Sequence, residues 1–328
     1  MPNLAEYAQQ LHEKKRREYP RKLIPRKLKG KFQQLKGMRA VVFDVYGTLV
    51  NYWRPGFEDR PCREDLLLQA FSEISAMFEM DGTLTKMNPA DPPARTLNDF
   101  YNGLIALNHQ KSVGEGIEFP EVRLDEVWSV IVMMLKRNGY DAEARFPGGA
   151  AASASTMAAE FARYLAYTYN FLSMGRTLYP EVASALKKMK GGNITLGILS
   201  DAQLYTPIDL TLLLREQSGG TIDDYNEMFD ADLTFFSYQY GYVKPSDILF
   251  RKLFDALYEY HITPAQTVFV GNDLATDIKP AAALGMRTAL FCGDGVMVFG
   301  DAGDVVPDIV FEDWDELPEL ISFHGEMD

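Results

Sequence analysis

The chain has 328 residues, 47% of them hydrophobic, and a formal net charge of −13. That length and apolar content exclude a disordered or fibrous chain and suit two domains with sizeable cores. Its two cysteines, Cys62 and Cys292, exclude a disulfide framework, and no N-terminal apolar stretch reaches signal or membrane length, so a reducing cytoplasm and no membrane association are expected.

Residues 1–38 read as a basic arm. Residues 1–40 carry twelve Lys or Arg against three acids, a net of +9 that leaves −22 for the remainder. The cations, from Lys14-Lys-Arg-Arg17 through Arg21, Lys22, Arg26 and Lys27 to Lys36, are interleaved with Leu4, Tyr7, Leu11, Tyr19, Leu23, Ile24 and Leu28. A basic segment can attach to nucleic acid or to an acidic surface. The acidic body is the surface at highest local concentration, so packing on it, or on a second copy in a homo-oligomer, is predicted ahead of nucleic-acid binding.

Residues 39–50, Arg-Ala-Val-Val-Phe-Asp-Val-Tyr-Gly-Thr-Leu-Val, follow. An apolar β-branched and aromatic run stopped by Gly47-Thr48 predicts a buried strand, and ligands in open α/β sheets gather at the carboxyl ends of such strands. Asp44 sits at that end. A carboxylate there can attack phosphorus or carbon and form a covalent intermediate, although aspartate also favours turns for local reasons.

An insertion runs from residue 51 to 175 and opens Asn51-Tyr-Trp-Arg-Pro-Gly-Phe-Glu-Asp-Arg-Pro-Cys-Arg63. Arg54, Arg60 and Arg63 are candidates for gripping a carboxylate or accepting a halide, and Tyr52, Trp53 and Phe57 for walling an apolar pocket. The competing reading is that these arginines are solvated and the aromatics merely pack. Apolar residues recur at helical spacing in 63–79, 123–138 and 152–173, which predicts a mostly helical domain. Phe78-Glu-Met-Asp-Gly-Thr-Leu84 imitates the Asp44 segment, but Glu79 holds the nucleophile position after a helical pattern, so a helix end and turn is predicted. Gly148–Ser155, rich in small residues, is a candidate joint. The four histidines, His12, His109, His261 and His324, are scattered outside every motif.

The core resumes at residue 176 with a proline-started amphipathic helix, then strands at 194–199, about 232–236, 267–270, 287–291 and 308–311. Their alternation with helices predicts a parallel sheet covered on both faces, with the strand before Asp44 central. Three further segments carry chemistry. Ser200-Asp201 ends a strand with a hydroxyl and free N–H groups that can bind an anion. Lys244 precedes Pro245 and so lies in an extended loop, where its charge would keep Asp44 ionised and neutralise an anionic substrate. Thr267–Asp277 runs from a strand into a turn with Asp273 and Asp277 four residues apart, and clustered carboxylates need a cation, Mg2+ suiting an all-oxygen site.

In order, these four segments resemble the motifs of the haloacid dehalogenase superfamily of hydrolases: Asp-x-(Asp/Tyr)-Gly-Thr, a Ser/Thr, Lys-Pro, and a Gly-Asp acidic turn. The resemblance covers residues 39–50 and roughly 176–315 and leaves the arm and the insertion unmatched. It implies an α/β fold, a Rossmann-like parallel sheet core at 39–50 and 176–328 with an inserted, mostly helical cap at 51–175. It further implies Asp44 as nucleophile, the Asp44 carboxylate and Tyr46 carbonyl on Mg2+, Thr48 and Ser200 on the anion, and Lys244 bridging nucleophile and a small anionic substrate. Gly47, Asp201, Trp53 and Arg54 are expected beside the substrate, Asp273 on the metal, and Asp277 as a second ligand or an orienting acceptor.

Three positions depart from the pattern. Asn272 follows the glycine where an acid is common, and Asp201 stands where the family usually has Asn. Tyr46 occupies the place where the family's phosphatases keep a second aspartate that protonates the leaving group, and a phenol with a pKa of about 10 donates poorly near neutral pH. Tyrosine there is the pattern of the 2-haloacid dehalogenases, which work without a metal, whereas Asp273 beside Asp277 resembles the phosphatases. The expected activity is therefore hydrolysis through an aspartyl intermediate, by a Mg2+-dependent phosphatase of a small metabolite or, alternatively, a metal-free 2-haloacid dehalogenase. A non-catalytic member acting through the basic arm is the third reading.

Overall fold

The computed structural model describes residues 3–15, 19–147, 154–301 and 303–323. Arg16, Arg17, His324 and most of the candidate joint at 148–155 lie outside them. The chain divides into two compact units, Met1–Tyr19 with Trp53–Gly175, and Pro20–Tyr52 with Arg176–Asp328. The basic arm is thus not a unit of its own; its first half belongs to one unit and its second half to the other.

The first unit is helical: α1 (Leu4–Lys15), α2 (Arg60–Met77), α3 (Asp81–Met87), α4 (Pro93–Gly114), α5 (Leu124–Arg137), α6 (Ala142–Arg145) and α7 (Ala154–Ser173). Asp59 starts α2 by accepting the Cys62 N–H, with Pro61 in the first turn where its missing donor costs nothing. Its core is aromatic. Phe71 of α2 stacks on Tyr169 of α7 at 4.2 Å, and Tyr101 of α4 and Trp128 of α5 close the cluster at 5.3 and 6.4 Å from Phe71. Helix α1 buries Leu4, Ala8 and Leu11, and its Tyr7 hydroxyl bonds Thr168 of α7 at 2.8 Å. The predicted helices at 63–79, 123–138 and 152–173 correspond to α2, α5 and α7. Helices α3 and α4 were not predicted, because α4 buries only Thr96, Leu97 and Tyr101 over its 22 residues, too thin an apolar stripe to read. Phe78–Met80 is the helix end and turn expected there, but Asp81–Leu84 already belongs to α3.

The second unit contains β1 (Leu35–Met38), β2 (Ala40–Phe43), β3 (Val50–Asn51), β4 (Thr177–Leu178), β5 (Thr195–Ser200), β6 (Thr234–Phe236), β7 (Thr267–Gly271), β8 (Arg287–Phe291), β9 (Ile309–Phe311) and β10 (Ile321–Phe323). Six of them form an all-parallel sheet in the order β6-β5-β2-β7-β8-β9. Its helices are α8 (Val182–Gly191), α9 (Thr206–Gln217), α10 (Ser237–Tyr240), α11 (Asp247–Glu259), α12 (Lys279–Ala283) and α13 (Leu317–Leu320). Strand β2 alternates between two cores: Val41 and Phe43 pack with Leu186, Leu210 and Leu317 on one face, Ala40 and Val42 with Leu249, Leu253 and Ala281 on the other. That two-sided burial is why the run reads as continuously apolar. The doubly covered parallel sheet predicted from the sequence is present, with β2 at its centre. Outside it, β1 pairs with β10 and β3 with β4.

Residues 20–34 run as extended chain along this unit. The Arg26 N–H donates to the Cys292 carbonyl at 2.9 Å, the Gly295 N–H to the Ile24 carbonyl at 2.9 Å, and the Lys31 N–H to the Pro307 carbonyl at 3.0 Å. Arg21 pairs with the buried Asp294, and Lys27 with Glu312 at 2.7 Å. Cations of the arm therefore meet carboxylates of the same chain. No helix among the described residues is long and apolar enough to cross a membrane.

Arg176, at the start of the returning core, pairs with Asp209 of α9 at 2.5 Å with both side chains about 2% exposed. Removing one partner of such a pair strands a charge away from water. Arg176→Met is expected to cost roughly 3–5 kcal/mol in urea unfolding, and Arg176→Met with Asp209→Leu to recover most of it.

Candidate active site

Each motif residue sits at the carboxyl edge of the parallel sheet because a strand delivers it there. Asp44 follows β2, and its N–H continues the ladder to the Val270 carbonyl of β7 at 2.9 Å. Ser200 ends β5, Asn272 follows β7, and Lys244 stands in the loop after α10. The Lys244–Pro245 peptide is cis.

The Lys244 ammonium donates to Asp44 Oδ1 at 2.6 Å and to Asp277 Oδ1 at 2.5 Å, and all three residues are nearly or fully buried. Burial alone would lower the lysine's pKa; Asp277, Asp44 and Asp201 outweigh it and raise that pKa above its ordinary value, so the side chain stays charged. Asp44 Oδ1 also accepts from the Ser200 hydroxyl at 3.0 Å. Asp44 Oδ2 has a looser contact, the Thr48 hydroxyl at 3.2 Å, and that hydroxyl lies closer to Asn272 Oδ1, at 2.8 Å. A hydroxyl carries one proton, so Oδ2 is the less encumbered oxygen and the one able to attack. Asn272 donates from Nδ2 to the Met297 carbonyl at 2.5 Å, which turns its oxygen toward Thr48.

Gly47 has φ +88°, and a Cβ there would run into the Asn272 side chain. The absence of a side chain lets the turn pass close to Asn272. Tyr46 places its hydroxyl 3.0 Å from the Thr206 hydroxyl and its ring 5.0 Å from that of Tyr52. Burial, with Asp209 adding to it, raises the phenol's pKa well above its ordinary value.

Several of the expected site residues have other engagements in the structure. Asp273, expected on a metal with Asp44, caps the following turn with one oxygen: its Oδ1 accepts the Ala275 and Thr276 N–H groups at 2.7 and 2.9 Å. Asp277 is committed to Lys244 through one oxygen and to the Asn272 and Asp273 N–H groups through the other, at 3.2 and 3.0 Å. Burial pushes this carboxyl up to about 7 despite the lysine. Of the anticipated Mg2+ ligands Asp44, Tyr46, Asp273 and Asp277, Asp277 is thus engaged by Lys244 and by backbone N–H groups, and Asp273 has one oxygen on the turn. Among the described residues no three His, Cys, Asp or Glu side chains cluster so as to hold a metal. Asp201, expected beside the substrate, accepts the Lys244 backbone N–H at 2.7 Å and so fixes the lysine loop. Arg54, in the helical unit, is buried and donates to the Leu172 and Ser173 carbonyls, while Trp53 donates to Glu58 at 2.7 Å. Arg60 pairs with Glu64, and Arg63 lies over the Phe57 ring. The residues that the motifs alone did not single out are Ser237, which brackets Ala202, and Thr206 and Met297.

A parallel sheet whose carboxyl edge holds a lysine-bound aspartate with one oxygen open defines an α/β enzyme of the hydrolase class. The model of the haloacid dehalogenase-like hydrolase family matches residues 76–285, well over half of the chain, and the chain belongs to that family. Among solved structures it is similar to a 2-haloacid dehalogenase from Pseudomonas syringae pv. Tomato DC3000, with 19% identity and a TM-score of 0.52, over 86% of this chain and 97% of that one. It is also similar to a HAD phosphatase from Thermococcus onnurineus, with 15% identity and a TM-score of 0.43, over 86% of this chain and 97% of that one. No protein among those with curated descriptions matches the sequence.

Two outcomes are expected. Lys244→Met leaves Asp44 and Asp277 buried without a cation and should lower stability by roughly 3–5 kcal/mol at pH 7.5 in urea unfolding. Burial pushes Asp201 up to about 6, so between about pH 4 and 6 the folded chain holds a proton that the unfolded chain has released. Its contribution to stability falls as pH rises through that window. The unfolding free energy of the wild type minus that of Asp201→Asn should therefore decrease from pH 4 to pH 7, by up to roughly 3 kcal/mol.

Proposed function

We propose that this hydrolase displaces a halide from the 2-carbon of a small haloacid through an ester on Asp44, without a divalent cation. The observation that carries the reading is Tyr46. An alkoxide leaving a phosphate monoester needs a proton, and the side chain at this position is a phenol bonded to Thr206, with its acidity lowered by burial. A halide departs without one. The amide of Asn272 and the commitment of Asp273 and Asp277 to backbone N–H groups support the same reading. The feature on the side of a Mg2+-dependent phosphatase is charge, since Asp44, Asp201 and Asp277 gather round the single ammonium of Lys244.

In this scheme Asp44 Oδ2 forms a bond to the halogen-bearing carbon while the carbon–halogen bond breaks and its electron pair leaves with the halide. Lys244 and Ser200 hold Oδ1 and orient the carboxylate. Water then adds to the Asp44 carboxyl carbon, and the ester opens to a 2-hydroxy acid, a proton and the free carboxylate. Asp277, across Lys244 from Asp44 and pushed up to about 7, is the group suited to receive that proton near neutral pH.

Incubation with 2-chloropropionate should release chloride equally with and without EDTA, and Asp44→Asn should reduce the rate by roughly three orders of magnitude or more. Phosphate release from alkyl phosphates that requires Mg2+, with no halide release, would overturn the reading.

A further inference from the structure

We infer that Arg21 of the basic arm is a positioning residue for Asp44, acting through the loop 292–299 and Asn272; this rests on Asp44 being the nucleophile. Residues 21–26 of the arm are fastened mainly to the loop 292–299, with one longer contact from Arg21 to the Asn51 side chain at 3.4 Å. The Arg21 guanidinium, about 12% exposed, pairs with the fully buried carboxylate of Asp294, which also accepts from the Tyr179 hydroxyl at 2.7 Å. The Ile24 carbonyl, the Arg26 N–H and the Arg26 guanidinium bond Gly295, Cys292 and Val298 at 2.9, 2.9 and 3.2 Å. A Cβ on Gly295 would lie 2.7 Å from the Ile24 carbonyl oxygen, so the arm approaches this loop as closely as a residue without a side chain allows.

The same loop reaches Asn272 through Met297, two residues beyond Gly295. The Met297 carbonyl receives the Asn272 Nδ2–H, the Phe299 carbonyl receives the Leu274 N–H at 2.9 Å, and the Phe299 N–H returns to the Asn272 carbonyl at 3.3 Å. Asn272 has two side-chain ends of similar shape and opposite polarity. Met297 decides which end meets Thr48. With the oxygen inward, Asn272 takes the Thr48 proton and Asp44 Oδ2 keeps its freedom. With Met297 displaced, the amide can turn its NH2 inward, and Thr48 can then give its proton to Oδ2, which makes that oxygen a weaker nucleophile. The path from Arg21 to Asp44 thus runs Asp294, Met297, Asn272, Thr48, each link a contact within one compact unit.

The test is a double-mutant cycle on folded protein, with Lys27→Met as a control for arm charge, because Lys27 is exposed and pairs with the partly exposed Glu312. Arg21→Met should lower kcat for chloride release roughly tenfold with KM unchanged, Arg21→Lys should recover part of the loss, and Lys27→Met should change neither. In an Asn272→Ala background Arg21→Met should have no further effect on kcat. Fully additive losses would overturn the inference, as would an unchanged kcat in Arg21→Met. A readout independent of turnover is the Asn272 side-chain NH2 resonance, which should move in Arg21→Met and stay in Lys27→Met; no movement in either overturns the inference too. Chloride release that survives Asp44→Asn sinks the nucleophile reading instead, which separates the two failures.

Discussion

The ammonium of Lys244 is the interaction on which this site depends. Asp44 and Asp277 arrive from different strands, both nearly without solvent, where a carboxylate is costly without a cation beside it. One cation lies within 2.6 Å of both. Burial works against a charged lysine and against charged carboxylates alike, so the three groups are tolerable only together, in the arrangement that the proposed function uses as a nucleophile. Asp201 extends this by holding the backbone of the lysine as well as favouring its charge.

The second property of the site is the unequal treatment of the two Asp44 oxygens. Oδ1 has an ammonium and a hydroxyl, whereas Oδ2 has a hydroxyl whose proton is better placed toward Asn272. Such asymmetry is preorganisation: the oxygen that must form a bond is left open and its twin anchors the carboxylate. It requires an oxygen acceptor at position 272 in the right orientation, which gives a physical use to an amide that departs from the acidic turn of the phosphatases and to a loop fastened by the arm.

The sheet was legible because both of its faces are covered. Strands β2, β5 and β7 are each buried along nearly their whole length and run into a polar residue, so Asp44, Ser200 and the turn after Gly271 could be placed at one edge from the one-dimensional pattern. Lys244 was legible through the proline that follows it. What spacing could not tell is where a carboxylate points. Asp273 and Asp277 look equivalent as acids four residues apart, yet Asp273 opens a helical turn, and aspartate at such a position is a preferred cap; that signal was present and outweighed by the metal reading. Asp277 then tucks under Gly271, where only the absence of a Cβ leaves room. Helix α4 escaped because it is mostly solvated, its usable signals being Pro92-Pro93 at the start and glycines at the end. Arg54 looked like a ligand for substrate because an arginine that bonds main-chain carbonyls and one that grips an anion have the same sequence.

The most direct measurement is a single turnover of 2-chloropropionate in H2 18O with enzyme in excess, followed by mass analysis of the peptide that contains Asp44. If Oδ2 forms the ester and water cleaves it at the carboxyl carbon, the peptide gains 18O while the 2-hydroxy acid from that first turnover carries the original oxygen. Label found in the hydroxy acid on the first turnover, with none in Asp44, would mean that water attacks substrate directly and would contradict the account.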